Sequence, residues 1–300
     1  MIPSIPATET INPRYRDLDA WDPLFAVQAM WEGQMAAAAA VQSALPAIAA
    51  AAVAAAARLA GGGRLAYAGA GTSGRIGVQD GAELTPTFDW PAGRMLLLMA
   101  GGPEAFTRSI ENAEDDRAAA AAAVARHDIG AADVVIGTAA SGSTPYTVAL
   151  LHAARAAGAL TIGLSNAAGG AVLTEAEHPI LVETGAEVIA GSTRMKAGTA
   201  QKIVLNLLSS QVMVQLGRVH QGLMVDMQAR NEKLRLRAMR MLRHLTGIDD
   251  ETRLHQALAG ADGRVKTAVL LAYGINRIGA DALLHRHHGR LRAALQEIGR

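Results

Sequence analysis

The sequence predicts an α/β fold: a doubly wound, mainly parallel five-stranded sheet flanked by helices, followed by a helical C-terminal appendage. Three observations lead there. Between residues 61 and 217 short apolar runs alternate with stretches of helical period, the pattern of βαβ units. Two of those runs end directly in loops rich in Gly, Ser and Thr, the composition of a strand handing over to a helix. Beyond residue 222 the strand pattern stops and only helical periodicity remains.

The elements follow in order. Residues 1–20 carry Pro3, Pro6 and Pro13 among scattered charges and predict an extended arm. Residues 21–59 read as helix, with Pro46 near a helix start or break. The Ala-rich tracts 36–40, 46–61 and 118–123 support helix because Ala has the best helix propensity. The tract 46–61 is too short and too weakly apolar to cross a bilayer, which takes about 20 apolar residues. Strands are expected at 64–68, 94–99, 133–137, 160–164 and 179–182. A helix over 74–83 would be capped by Thr72 or Ser73 and end before Pro86. Residues 199–217, with Ile203, Val204, Leu207, Leu208, Val212 and Val214, predict a helix buried against the sheet or against a partner subunit. Short helices follow at 231–245, 251–258, 265–273, 280–285 and 291–298, broken by Gly247, Gly260, Gly263 and Gly289. The implied organisation is an N-terminal arm with helices (1–54), an α/β domain (55–222) and a helical domain (223–300).

Composition narrows the function. The 300 residues are 50% hydrophobic, enough for a large core. A net charge of +1 argues against a chain built to hold nucleic acid or an acidic membrane. The absence of Cys removes thiolate nucleophiles, disulfides and thiolate metal sites together. The first residues lack a basic segment followed by an apolar run, so a cytoplasmic location is expected.

Three segments read together as one site: Ala68 to Arg75 (AGAGTSGR), Ala140 to Pro145 (ASGSTP) and Gly191 to Lys196 (GSTRMK). Each brings hydroxyls and backbone N–H groups to a helix start, where unpaired donors and a partial positive charge suit a phosphate. The expected ligand is a phosphorylated small molecule. Candidate contacts are Thr72, Ser73, Gly74, Arg75, Ser141, Ser143, Thr144, Ser192, Arg194 and Lys196, with Lys202 further on and Glu187 placed to orient one of the bases. Two carboxylates with separated pKa values could form an acid–base pair. Glu83 is one candidate, although about ten residues of helix put it roughly 14 Å from the capping loop. Glu114 is the other, in the run Glu111, Glu114, Asp115 and Asp116, where Glu111 and Glu114 would share a helix face. His285, His287 and His288 lack a carboxylate partner in the sequence and read as an exposed tip, so no metal site is expected. The basic residues Arg230, Lys233, Arg235, Arg237, Arg240 and Arg243 are interleaved with Leu234, Met239, Leu242 and Leu245, which reads as an amphipathic packing helix.

These residues resemble the N-acetylmuramic acid 6-phosphate etherases, a family built on the sugar isomerase (SIS) fold. The likeness runs from the stretch Gly62 to Arg75 through Glu83 with Pro86-Thr87-Phe88, Ala113 to Asp116, Ala140 to Tyr146, the specific run Gly191 to Lys202, and Leu223 to Asp226 with Asn231 to Leu234. The resemblance implies cleavage of the D-lactyl ether at C3 of the sugar phosphate, without metal or organic cofactor, and a catalytic pair at Glu83 and Glu114. Relatives also imply a homodimer. The sequence departs from the family pattern at Leu84-Thr85, at Ser143, at Ser165 to Ala168 and in lacking an acidic pair near Trp31-Glu32-Gly33. Two other readings use the same loops: an SIS aldose–ketose isomerase and a non-catalytic sugar-phosphate sensor. A DNA-binding regulator fits less well, because Arg14, Arg16 and Arg58 are the only bases before Gly61.

Overall fold

A computed structural model of the chain describes residues 6–229 and 231–300. Residues 1–5 and Arg230, which belong to the expected arm and basic helix, lie outside that range. The chain divides into two compact units, one formed by Met1–Ala82 with Ala92–Gln211, the other by Glu83–Pro91 with Val212–Arg300. The division differs from the expected one in two ways. The N-terminal helices belong to the unit of the sheet, and the second unit begins at 212 and takes in residues 83–91.

In the first unit five parallel strands are ordered β2-β1-β3-β4-β5. They are β1 (Leu65–Gly69), β2 (Met95–Met99), β3 (Val134–Ala139), β4 (Leu160–Ser165) and β5 (His178–Leu181), each within two residues of its expected limits. The three central strands are buried along their whole length, which is why they read as unbroken apolar runs. The chain leaves β1 for β2 on one side and later passes from β3 to β4 and β5 on the other. Between β1 and β3 the order therefore reverses, and loops leaving those two strands open onto a crevice where such sheets bind ligands.

Residues 6–20 form three short 3-10 turns (Ala7–Glu9, Pro13–Tyr15 and Leu18–Ala20) instead of an extended arm; Pro6 and Pro13 fix φ at a value that suits the start of the first two, and the third starts after Asp17. Helices α1 (Pro23–Ala40) and α2 (Leu45–Ala60) follow, with Pro46 in the first turn of α2 as its missing N–H allows. Together they make a helical stretch long and apolar enough to cross a membrane by length and composition alone. Yet α2 lays Ile48, Ala51, Ala52, Ala55 and Leu59 in the core, in contact with β3, β4 and β5. Helix α1 instead leaves Leu24, Phe25, Val27, Trp31 and Met35 exposed.

Helix α3 spans Gly71–Phe88, longer than expected at both ends. It passes through Pro86, losing one backbone hydrogen bond, and the backbone closes beyond the helix where Trp90 N donates to Leu84 O at 3.4 Å and Thr85 Oγ1 donates to Trp90 O at 3.0 Å. Helices α4 (Arg117–Arg126), α5 (Pro145–Ala156) and α6 (Ala171–Glu175) cover Ala66, Ala68, Val135 and Ala139 on one sheet face. Helix α7 (Lys196–Gln215) starts three residues before its expected limit and buries Ala200, Val204, Leu205 and Leu208. A buried link joins β1, α3 and α7: the Tyr67 hydroxyl donates to Asp80 Oδ2 at 2.7 Å, and Asn206 donates to the other oxygen.

The second unit is built from α8 (Glu232–Thr246), α9 (Glu251–Gly260), α10 (Val265–Ala272), α11 (Arg277–Arg286) and α12 (Leu291–Glu297). The α8 stripe Ala238, Met241, Leu242 and Leu245 is buried, as the interleaving of bases and apolar residues predicts. A two-residue hairpin, β6 (Val219–His220) with β7 (Leu223–Met224), corrects the expectation that no strand follows 222. It turns on Gln221 and Gly222, both at positive φ.

Candidate active site

Two loops build the site from the sheet outward. The first leaves β1 through Ala70 and Gly71 into α3. Gly74, expected to touch ligand, lies behind this loop: a Cβ there would stand 2.7 Å from the Gly69 carbonyl oxygen, so a side chain is excluded by close packing of helix start on strand end. The second loop leaves β3 through Ala140, Ser141, Gly142 and Ser143. Its Gly142 has φ +72°, and the Ser143 N–H donates to Ser141 Oγ at 3.2 Å. Thr144 precedes α5 without capping it through its side chain, and Pro145 fills the first turn. The leading N–H groups of α5 thus keep donor capacity for a ligand.

Between the loops lies a cavity of about 480 Å³ lined by Thr72, Ser73, Ser141, Ser143 and Thr144, five of the expected contacts, together with Thr193, Glu114, Asp115 and Glu9. No Lys or Arg lines it among the described residues. Its polar lining is hydroxyls and carboxylates beside the backbone N–H groups of a helix start, and such N–H groups are a means of binding an anion.

The third segment contributes less than expected. Thr193 reaches the cavity; Ser192, Arg194 and Lys196 do not line it. Glu187 is fully buried and accepts from the backbone N–H groups of Lys196 and Ala197, each at 2.9 Å. It caps α7, correcting the expectation that it orients a base, because the α7 start presents orphan donors that a buried carboxylate satisfies. Lys196 Nζ donates to Ala186 O at 2.8 Å.

Arg75 is also engaged elsewhere. Its Nε donates to the carbonyls of Ala105 and Phe106, each at 3.1 Å, and its Nη2 to that of Arg108 at 3.0 Å, so it pins the loop after β2. That loop encloses a second, smaller cavity of about 170 Å³, whose lining includes Arg75, Arg108, Ser109, Glu111, Asn112 and Glu114. Glu114 sits in a 3-10 turn (Ala113–Asp115), and Glu111 in the turn before it, so the pair does not share a helix face. Asn112, at φ +58°, breaks any helix between them. Glu114 alone among the acidic residues lines both cavities.

Glu83 lines neither cavity. It lies exposed ten residues beyond Ser73 on α3, about 15 Å along the helix axis. Glu9, Asp115 and Thr193 line the larger cavity and are not among the contacts the sequence predicts. Thr193 stood inside a segment already singled out, whereas Glu9 comes from an irregular stretch with no pattern to mark it. Among the described residues no cluster of His, Asp and Glu could hold a metal ion, and His287 Nε2 lies 2.5 Å from Glu297 Oε2.

Residues 47–155 match the family model of the glucokinase regulatory protein N-terminal SIS domain. A phosphoheptose isomerase from Francisella tularensis is a structural neighbour at 19% identity and TM-score 0.46, covering 65% of this chain and 98% of that one. The sequence relatives are far nearer. The N-acetylmuramic acid 6-phosphate etherase of Deinococcus radiodurans is 48% identical over 97% of this chain and 95% of its own length. That of Streptomyces avermitilis is 46% identical over 96% and 93%. With identity of that order spread over nearly the whole length of both chains, the protein belongs to the N-acetylmuramic acid 6-phosphate etherase family.

Proposed function

We propose that the protein is a carbon–oxygen lyase that cleaves the D-lactyl ether of N-acetylmuramic acid 6-phosphate, giving N-acetylglucosamine 6-phosphate and D-lactate in amino-sugar catabolism. The observation that carries this reading is the near-full-length identity to etherases. A hydroxyl-lined cavity with a carboxylate on its wall supports it.

The chemistry follows from the groups available. In the open-chain aldehyde the C2 proton is acidified by the neighbouring carbonyl. Glu114 as base takes that proton, the electron pair forms the C2=C3 double bond, and the C3–O bond breaks. A second carboxyl group, Glu83, gives its proton to the departing lactate oxygen. Water then adds to C3 of the unsaturated aldehyde and a proton returns to C2. The carbonyl of the substrate supplies the polarisation, so the reaction as written takes no metal or organic cofactor. Ser73, Ser141, Ser143 and Thr144 hold the phosphate.

Because Glu83 lies along α3 away from the cavities, the reading includes a homodimer in which Glu83 of one subunit serves the cavity of the other. The exposed apolar side chains of α1 support such a pairing. A cytoplasmic location belongs to the same reading, since a phosphorylated sugar does not cross a bilayer unaided. The deciding experiment incubates the protein with N-acetylmuramic acid 6-phosphate and measures D-lactate. Its stoichiometric release with N-acetylglucosamine 6-phosphate is expected; an intact substrate, or an isomerised one without lactate, would overturn the assignment.

A further inference from the structure

The two cavities beside the sheet share a wall at Ala70, Gly71 and Glu114. A muramyl phosphate likewise has two parts, a sugar phosphate and a three-carbon acid, joined at the ether bond that breaks. We infer that the smaller cavity is the seat of the lactyl group and that Arg108 receives its carboxylate. The inference rests on the etherase reading above and adds to it a subsite and a specificity residue.

Size separates the cavities. A hexose phosphate fits the one of about 480 Å³, whereas about 170 Å³ suits a group of a few heavy atoms. Position agrees with size. A substrate lying across the shared wall puts its C3–O bond beside Glu114, the group assigned to the C2 proton one carbon away.

Chemistry agrees as well. Ala100, Ala105 and Ile110 offer the smaller cavity an apolar wall for the lactyl methyl group. Arg75, held by three carbonyl oxygens, places a fixed positive charge there. Arg108 is the adaptable cation. Its side chain is 67% exposed and pairs with the equally exposed Glu104 one helical turn back. Exposed pairs of this kind hold weakly, so Arg108 can exchange Glu104 for a ligand carboxylate, to which its planar fork can bond bidentately. Glu111 and Glu114 line the same cavity and oppose a bound carboxylate. With two arginines set against those two carboxylates, the cavity holds the lactyl group while it is tethered to the sugar and releases free D-lactate readily once the tether is cut.

The test compares Arg108→Gln with the wild type on two ligands, by calorimetry and by steady-state release of D-lactate. One is N-acetylmuramic acid 6-phosphate; the other is N-acetylglucosamine 6-phosphate, which lacks the lactyl group. Loss of a charge-assisted hydrogen bond should raise KM and Kd for the muramyl ligand roughly 10- to 100-fold, leave Kd for the glucosamine ligand within about twofold, and be partly restored in Arg108→Lys. Equal losses on both ligands, or no loss on either, would overturn the subsite. Absence of D-lactate release by the wild type would defeat the etherase reading instead, and the calorimetric comparison of the two ligands would still decide the subsite. The backbone carbonyl that Arg75 grips is kept in every variant, so the loop retains its anchor.

Discussion

Glu114 owes its place to an irregular backbone. A helix through residues 111–114 would have spread the carboxylates along one face, whereas the left-handed Asn112 and the 3-10 turn after it bring Glu114 to the wall between two cavities. If Glu114 and Glu83 carry the protons, Glu114→Gln and Glu83→Gln should each lower turnover by about 10²–10⁴-fold, the usual worth of a general acid or base. Substrate affinity should change little, since the amide keeps the shape. Near-normal D-lactate release in both variants would refute the pairing. The phosphate assignment is tested one hydroxyl at a time: Ser141→Ala, Ser143→Ala or Thr144→Val should each cost roughly 0.5–3 kcal/mol in binding of the phosphorylated sugar. Titration calorimetry against the unphosphorylated analogue gives the control, and equal losses on both would place the phosphate elsewhere. The residues that sequence located are those on glycine-rich loops after strands, where the hydroxyl pattern is local. Arg75 reads as a ligand contact, and Glu187 as a group that orients a base, because charge beside such a loop looks functional. Their partners, backbone groups at 196–197 and at 105–108, are set by tertiary packing that no local pattern records.

At the scale of elements, the loops work only if β1 and β3 are held in register, and that is secured at the opposite end of the strands. Asp133, at the foot of β3, accepts from the Arg64 backbone N–H at 2.8 Å, from Arg64 Nε at 3.1 Å and Nη2 at 2.7 Å, and from Gly130 N–H at 3.1 Å. Burial alone would raise the Asp133 pKa, but the Arg64 and backbone hydrogen bonds outweigh it and hold the carboxyl below the usual carboxylate range. A depressed folded-state pKa adds stability that is complete above the unfolded value of about 3.9 and is lost as pH falls through the lower folded value. Asp133→Asn should therefore cost about 1–3 kcal/mol at neutral pH. Its stability gap to the wild type should close in acid below about pH 4, as followed by chemical denaturation at several pH values. Substrate affinity should be nearly untouched, because the clamp lies a strand's length from the cavities; a gap that widened in acid would disprove the account. Strands were readable to within two residues because three of them are buried on both faces, while the end of α3 was not. A proline weakens a helix without ending it, and the hydrogen bonds that close the chain beyond it come from residues 84–90.

At the scale of the molecule, the boundary between the two units escaped the sequence for a similar reason: residues 83–91 group with a segment that begins at Val212, a pairing without any local trace. The N-terminal helices raise the question of assembly. Helix α1 shows Leu24, Phe25, Val27, Trp31 and Met35 at 54–70% exposure, apolar side chains of the kind that a protein partner covers. A second copy of this chain, as proposed above, would answer two needs at once, covering those side chains and supplying a carboxyl group from a neighbouring α3. Two-fold pairing makes the contact self-complementary, so each subunit would give and receive one Glu83. Mixing two inactive variants tests this directly, one carrying Glu83→Gln and the other both Ser141→Ala and Ser143→Ala. In a heterodimer with shared sites, one of the two sites collects both defects and the other is intact. After subunit exchange, D-lactate release should return toward about a quarter to a half of wild type, as expected when half the dimers, or all of them, pair unlike subunits with one good site each. If heterodimers verified by mass spectrometry stay inactive, each subunit completes its own site and the apolar face of α1 needs another occupant.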